Sequence, residues 1–223
     1  MNTGTSGTSS SWGLGARERP PDGAAKVFCI GFPKTGTAAL SEALSILGYN
    51  VANERLFRPV ASNASLSHRQ LAEFGLEIAA EYDALVGAPW PLLFEELDAA
   101  HPDAKFILVT RNVDNWAYDA ARELEAGANA IDRLLYGDAA DTMDEERLAE
   151  AFDKHTLAVL EYFQDRPDDF VELNLSDGEV AWETICPFLG VEIPHEPWPE
   201  SRRRRGRRRG MLLGFLKARF GAN

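Results

Sequence analysis

The segment Gly31-Phe32-Pro33-Lys34-Thr35-Gly36-Thr37 puts a lysine, two hydroxyl side chains and two glycines within one short stretch. A loop of that composition can turn several backbone N–H groups toward one small volume, and a lysine beside them adds a full positive charge. Those are the requirements for holding a phosphate or a sulfate. A second cation, Arg111, directly follows the apolar run KFILVT at 105–110 and carries forked donors.

The order of residues narrows the chemistry. In the ATPase loop G-x-x-x-x-G-K-[ST] the lysine follows the second glycine, and the next hydroxyl holds magnesium. Here Lys34 precedes Gly36, and Arg111 stands where a magnesium-binding aspartate would end the later strand. A magnesium-dependent NTPase or nucleotide kinase is thus disfavoured. For general base work the sequence offers Asp83, Glu95, Glu96 and His155 without choosing among them. Read plainly, Lys34 is a solvated loop lysine, Arg111 an ion-pair partner, and His155, on an apolar helical stripe, a hydrogen-bonded core histidine.

The elements that must position these residues alternate. An apolar run at 27–30 has the length of a buried strand and feeds the Lys34 loop. A helix follows, with Leu40, Ala43, Leu44 and Leu47 on one face and Gly48 at its C-cap. A short strand is expected at 50–52, a loop at 53–67, a helix at 68–81 and a second core strand at 83–86. Pro89 and Pro91 are expected to open a helix running to Ala100. The run at 105–110 reads as a central strand, apolar on both faces. Helices are expected at 114–125 and 145–164, with a loop between them, then a last strand at 170–173 and a helix at 182–189 ended by Gly190. This alternation predicts an α/β fold of the P-loop NTPase-like kind, three layers around a central parallel sheet of about five strands.

The chain has 223 residues, which suits one core with appendages: a Gly, Ser and Thr-rich tail at 1–24, a domain at 25–200 and a basic tail at 201–223. Nine cations and no acid follow Glu200, so the formal net charge of −12 leaves −21 on residues 1–200. An acidic body does not suit sequence-independent nucleic-acid binding. The arginine-rich tail, followed by MLLGFLKARF, could meet an anionic membrane surface or fold back on the acidic body. Cys29 and Cys186 are spaced for neither a zinc site nor a disulfide framework. With no basic-then-apolar leader and no apolar run of about 20 residues, a cytoplasmic location is the expectation.

The loop GFPKTGT resembles that of the sulfotransferases that use 3′-phosphoadenosine 5′-phosphosulfate, and four later segments follow the same family in order. These are PWPLLFEEL at 89–97, KFILVTRNVDNW at 105–116, EYFQDRPDD at 161–169, and the closing stretch at 182–199 with its Trp, Cys, Phe-Leu-Gly and prolines. The resemblance implies sulfuryl transfer to a hydroxyl or amine of a small-molecule or glycan acceptor, without a metal, with the segments 53–67 and 127–144 expected to form the acceptor side. It assigns Lys34 to the bridging oxygen of the departing nucleotide. Pro33, Thr35, Gly36, Thr37 and Ala38 would form the cradle of the 5′-phosphate, and Arg111 and Asp119 would stand at the 3′-phosphate.

Three positions depart from the family pattern. Ala38 stands where a hydroxyl residue is usual, Asp119 where a serine usually shares the 3′-phosphate, and Gly87 where an acidic residue usually lies two before the PWP segment. A carboxylate at 119 repels a phosphate unless it is protonated or turned away. Beside the enzyme, the sequence therefore allows a catalytically impaired relative that binds a nucleotide, an anion or a partner.

Overall fold

The computed structural model describes residues 23–52, 54–174 and 181–199. The tail expectations at 1–24 and 201–223 fall outside these residues, apart from Gly23 and Ala24, and Ala24 packs against the core. The strands are β1 (Val27–Cys29), β2 (Val51–Ala52), β3 (Ala84–Leu85), β4 (Lys105–Thr110) and β5 (Phe170–Asn174), and they lie in the order β2-β3-β1-β4-β5. Every neighbouring pair is parallel. All carboxyl ends therefore line one edge, where such sheets receive ligands.

The helices are α1 (Thr37–Ile46), α2 (Arg58–Ala61), α3 (His68–Glu81), α4 (Phe94–Ala100), α5 (Val113–Leu124), α6 (Ala130–Tyr136), α7 (Ala139–Thr142), α8 (Glu145–Tyr162) and α9 (Ala181–Leu189). Side chains alternate across the pleat and divide the core into two layers. Val27, Cys29, Ala84, Val86, Ile107, Val109 and Leu173 meet Leu40 and Leu44 of α1 and Ile185 of α9. Phe28, Ile30, Leu85, Phe106 and Leu108 face the other way, onto the apolar sides of α3, α4, α5 and α8. Burial on both faces accounts for the unbroken apolar run of β4, five of whose six residues are buried. Among the described residues no helix is long and apolar enough to cross a membrane.

Three expectations need correction. The segment at 53–67 is not a plain loop, because Glu54–Phe57 forms a 3-10 turn that runs into α2. Pro89 and Pro91 do not open one helix. The Ala88–Pro89 bond is cis, Trp90–Leu92 is a 3-10 turn, and α4 starts only at Phe94. The segment between α5 and α8 carries α6 and α7, and α6 begins with a capping box between Asn129 and Asp132 that defines its start locally. The shorter strands at β2 and β3 otherwise fall inside their expected ranges.

Candidate functional site

The loop after β1 is built by close approach. An ideal Cβ on Gly31 would lie 2.5 Å from the Val109 carbonyl oxygen, so only glycine lets this turn lie against β4. Lys34 has φ +70 and Gly36 φ +124, a left-handed pair that turns the backbone from strand to helix. Lys34 adopts this at a steric cost that a glycine would avoid. No side chain caps α1, whose N-cap is Gly36; the Ala39 N–H turns back to the Gly36 carbonyl at 2.9 Å, and the Thr37 and Ala38 N–H groups remain available to a solute anion.

The segment that follows β4 holds this loop from the side. Trp116 Nε1 donates to the Pro33 carbonyl at 2.7 Å, and Arg111 Nη1 donates to the Lys34 carbonyl at 3.0 Å. Arg111 Nη1 also reaches Asp119 Oδ2 at 3.1 Å, and the Asp119 side chain is only 8% exposed. Lys34 Nζ pairs with Glu123 Oε2 at 2.8 Å in the open. Trp116, Asp119 and Glu123 are spaced i, i+3 and i+7, so one face of α5 presents an indole donor and two carboxylates to the loop.

The residues expected at the site gather on one edge of the sheet. Thr35 is buried, and its hydroxyl donates to the Phe32 carbonyl at 2.8 Å, so its side chain braces the turn from within. Thr37 and Ala38 begin α1, with Ala38 exposed. His155 stacks on Phe32 at 4.5 Å and donates Nε2–H to the Ile30 carbonyl at 2.7 Å. Burial holds its pKa below the ordinary value, as for a neutral structural imidazole. Burial pushes the Cys29 thiol up to about 12, although backbone hydrogen bonds from Gly31 and Gly87 reach its sulfur. That cysteine is an inert strand residue.

The expected bases separate. Asp83 Oδ2 accepts from the Asn50 backbone N at 2.9 Å, ahead of β2 and β3 and so at the amino edge. Glu96 faces His68 at 3.5 Å, and Glu95 is exposed in the first turn of α4. The expected acceptor segments do meet, since α2 touches α6. Among the described residues no group of three or more His, Cys, Asp or Glu is placed to hold a metal ion.

A family model described as a sulfotransferase domain matches residues 26–135 and 118–206 of this chain. The chain belongs to that sulfotransferase-domain family. The Ava biosynthesis cluster protein M of Aspergillus versicolor is 27% identical over 216 residues, covering 78% of this chain and 79% of that protein. The crystal structure of a sulfotransferase from Alicyclobacillus acidocaldarius superimposes with a TM-score of 0.51 at 14% identity, covering 89% of this chain and 96% of that one, a likeness of fold.

Within this sulfotransferase domain, Trp116 and Glu123 are the site-lining residues to which sequence reasoning gave no role. The signal was present as the i, i+3, i+7 spacing with Asp119 on α5. What the spacing could not tell is that this face turns to the Lys34 loop.

Proposed function

We propose that this chain transfers a sulfuryl group from 3′-phosphoadenosine 5′-phosphosulfate to a hydroxyl or amine of a small-molecule or glycan acceptor. The observation that carries the reading is the placement of Lys34. It sits with positive φ at the uncapped start of α1, its own carbonyl held by Arg111, so both cations share the carboxyl edge of the sheet. In sulfuryl transfer, negative charge grows on the bridging oxygen as the nucleotide departs. Lys34 and the first-turn amides of α1 stabilise that charge without moving a proton, and one such preorganised donor is typically worth about 3 kcal/mol. Pro33, Thr35, Gly36, Thr37 and Ala38 shape the 5′-phosphate cradle, largely through backbone amides, and Arg111 is the group available to the 3′-phosphate.

A second reading, a nucleotide- or anion-binding protein without turnover, is favoured by the pairing of both cations with carboxylates, Lys34 with Glu123 and Arg111 with Asp119. Calorimetric titration with 3′-phosphoadenosine 5′-phosphate and, separately, with ATP and magnesium tests the donor site. Saturable binding of the first, lost in Lys34→Ala and Arg111→Ala, is expected. Preference for ATP with magnesium would sink the donor assignment. Release of the nucleotide from the phosphosulfate, or its lack, then separates enzyme from binder.

A further inference from the structure

The carboxyl edge of the sheet carries a carboxylate that none of the preceding assignments uses. Glu54 opens the 3-10 turn just beyond β2. The Ala52 carbonyl accepts from the Val86 backbone N at 3.2 Å, so the chain segments leading to Glu54 and Gly87 leave the sheet side by side. An ideal Cβ on Gly87 would lie 3.2 Å from Glu54 Oε2. The carboxylate therefore lies against the volume that a side chain at position 87 would enter. Gly87 itself has φ +93, a conformation that keeps most side chains out.

The distance from this carboxylate to the anion loop is spanned by one strand. β3 runs parallel to β1 with Leu85 beside Phe28, so the segments that lead to Gly87 and to the Lys34 loop leave the sheet as neighbours. The turn is firmly based. Phe57, only 1% exposed, meets Trp90 edge-on at 5.0 Å and Phe74 at 5.4 Å. The following α2 touches α6, so Glu54 begins the wall on the acceptor side. Its side chain is solvent-accessible, and no hydrogen bond or ion pair engages it among the described residues. Asp83 lies at the opposite edge, and Glu96 and His155 each face another partner.

We propose that Glu54 is the general base toward the acceptor, delivered from the turn after β2. The assignment rests on the sulfuryl-transfer reading above. Glu54 takes the proton from the acceptor hydroxyl or amine, and the acceptor's freed electron pair forms the new bond to sulfur. The bond from sulfur to the bridging oxygen breaks, its electron pair stays on the nucleotide phosphate beside Lys34, and the proton leaves Glu54 to water.

The test compares wild type, Glu54→Gln and Glu54→Asp with two probe acceptors, 2-naphthol, which is protonated at mildly alkaline pH, and 4-nitrophenol, which is ionised there. Nucleotide release from the phosphosulfate is the readout. Binding of 3′-phosphoadenosine 5′-phosphate and thermal melting are measured alongside and are expected to be unchanged in both variants. Glu54→Gln should slow transfer to 2-naphthol by about 100-fold or more while leaving transfer to 4-nitrophenolate within a few-fold. Glu54→Asp should recover part of the loss. Equal slowing on both acceptors, or none on either, overturns the assignment. So does a wild-type protein that binds the nucleotide but transfers to neither acceptor. A wild type that does not bind the nucleotide overturns the donor reading instead.

Discussion

Replacing Asp119 by serine tests how the site is charged. Asp119 Oδ2 is 3.1 Å from Arg111 Nη1, with side-chain exposures of 8% and 25%. The same nitrogen holds the Lys34 carbonyl at 3.0 Å. A 3′-phosphate on the remaining donors of Arg111 would come within roughly 6 Å of the carboxylate, and at an effective dielectric of about 20 that repulsion is roughly 3 kcal/mol per unit charge. Solvent around a quarter-exposed arginine reduces this to about 1.5 kcal/mol, or roughly tenfold in Kd. Serine removes the charge and leaves a hydroxyl that can donate to phosphate. The opposing effect is an unpaired Arg111, costing about 1 kcal/mol of stability because its guanidinium can rehydrate. Calorimetry should therefore show Asp119→Ser binding 3′-phosphoadenosine 5′-phosphate roughly tenfold tighter, with adenosine 5′-phosphate little changed. Equal gains for both nucleotides, or none for the first, would place the 3′-phosphate away from Asp119 and refute the reasoning.

Three further outcomes follow from the same geometry. Glu123→Gln frees Lys34 from an exposed pair, so nucleotide affinity should rise a few-fold, while the melting temperature, read by calorimetry, stays nearly constant. His155→Gln should destabilise the fold by about 1–3 kcal/mol in urea titrations, because the Ile30 carbonyl loses a well-placed donor. Since burial lowers the folded-state pKa of His155, the unfolded chain binds more protons below about pH 6.5, and stability falls on acidification through that range. The variant should show a shallower acid slope, with His101, also depressed by burial, supplying the remainder. Asp98 is held below its ordinary pKa first by hydrogen bonds from Arg166, and its contribution is present above about pH 3.9 and lost as pH falls through the lower folded value. Asp98→Asn should cost about 2 kcal/mol near neutrality and much less in strong acid, by urea denaturation at the two pH values.

The fold was legible where one local signal outweighed its neighbours. The run 105–110 is apolar throughout because β4 is covered on both faces, and its boundaries are those of the strand. The glycines at 48 and 190 have φ +92 and +68, so their place at helix ends was readable from conformational freedom alone. The segment between α5 and α8 was not legible as helices, because α6 and α7 span only Ala130–Tyr136 and Ala139–Thr142, too short to show periodicity. Their stability comes from tertiary packing, with Tyr136 edge-on to Phe32 at 5.4 Å.

The site was legible as an inventory of cations and illegible as a balance of charge. Lys34 and Arg111 announce themselves by position after strands, whereas the acids that face them come from an α5 surface whose orientation depends on the turn at Asn112. That turn is capped by the Asn112 side chain, which accepts from the Asn115 backbone N at 3.0 Å and sets the entry of the helix. The pairing has two opposite effects. Carboxylates at Asp119 and Glu123 lower the attraction for any anion, since the anion must displace or coexist with them. Arg111, by bridging Asp119 and the Lys34 carbonyl, also holds the loop in its left-handed conformation before an anion arrives, so less ordering is needed on binding. A site arranged this way gives up affinity and keeps geometry. In sulfuryl transfer geometry is the more useful of the two, because charge on the departing oxygen develops only in the transition state and a donor already in place acts there without reorganisation.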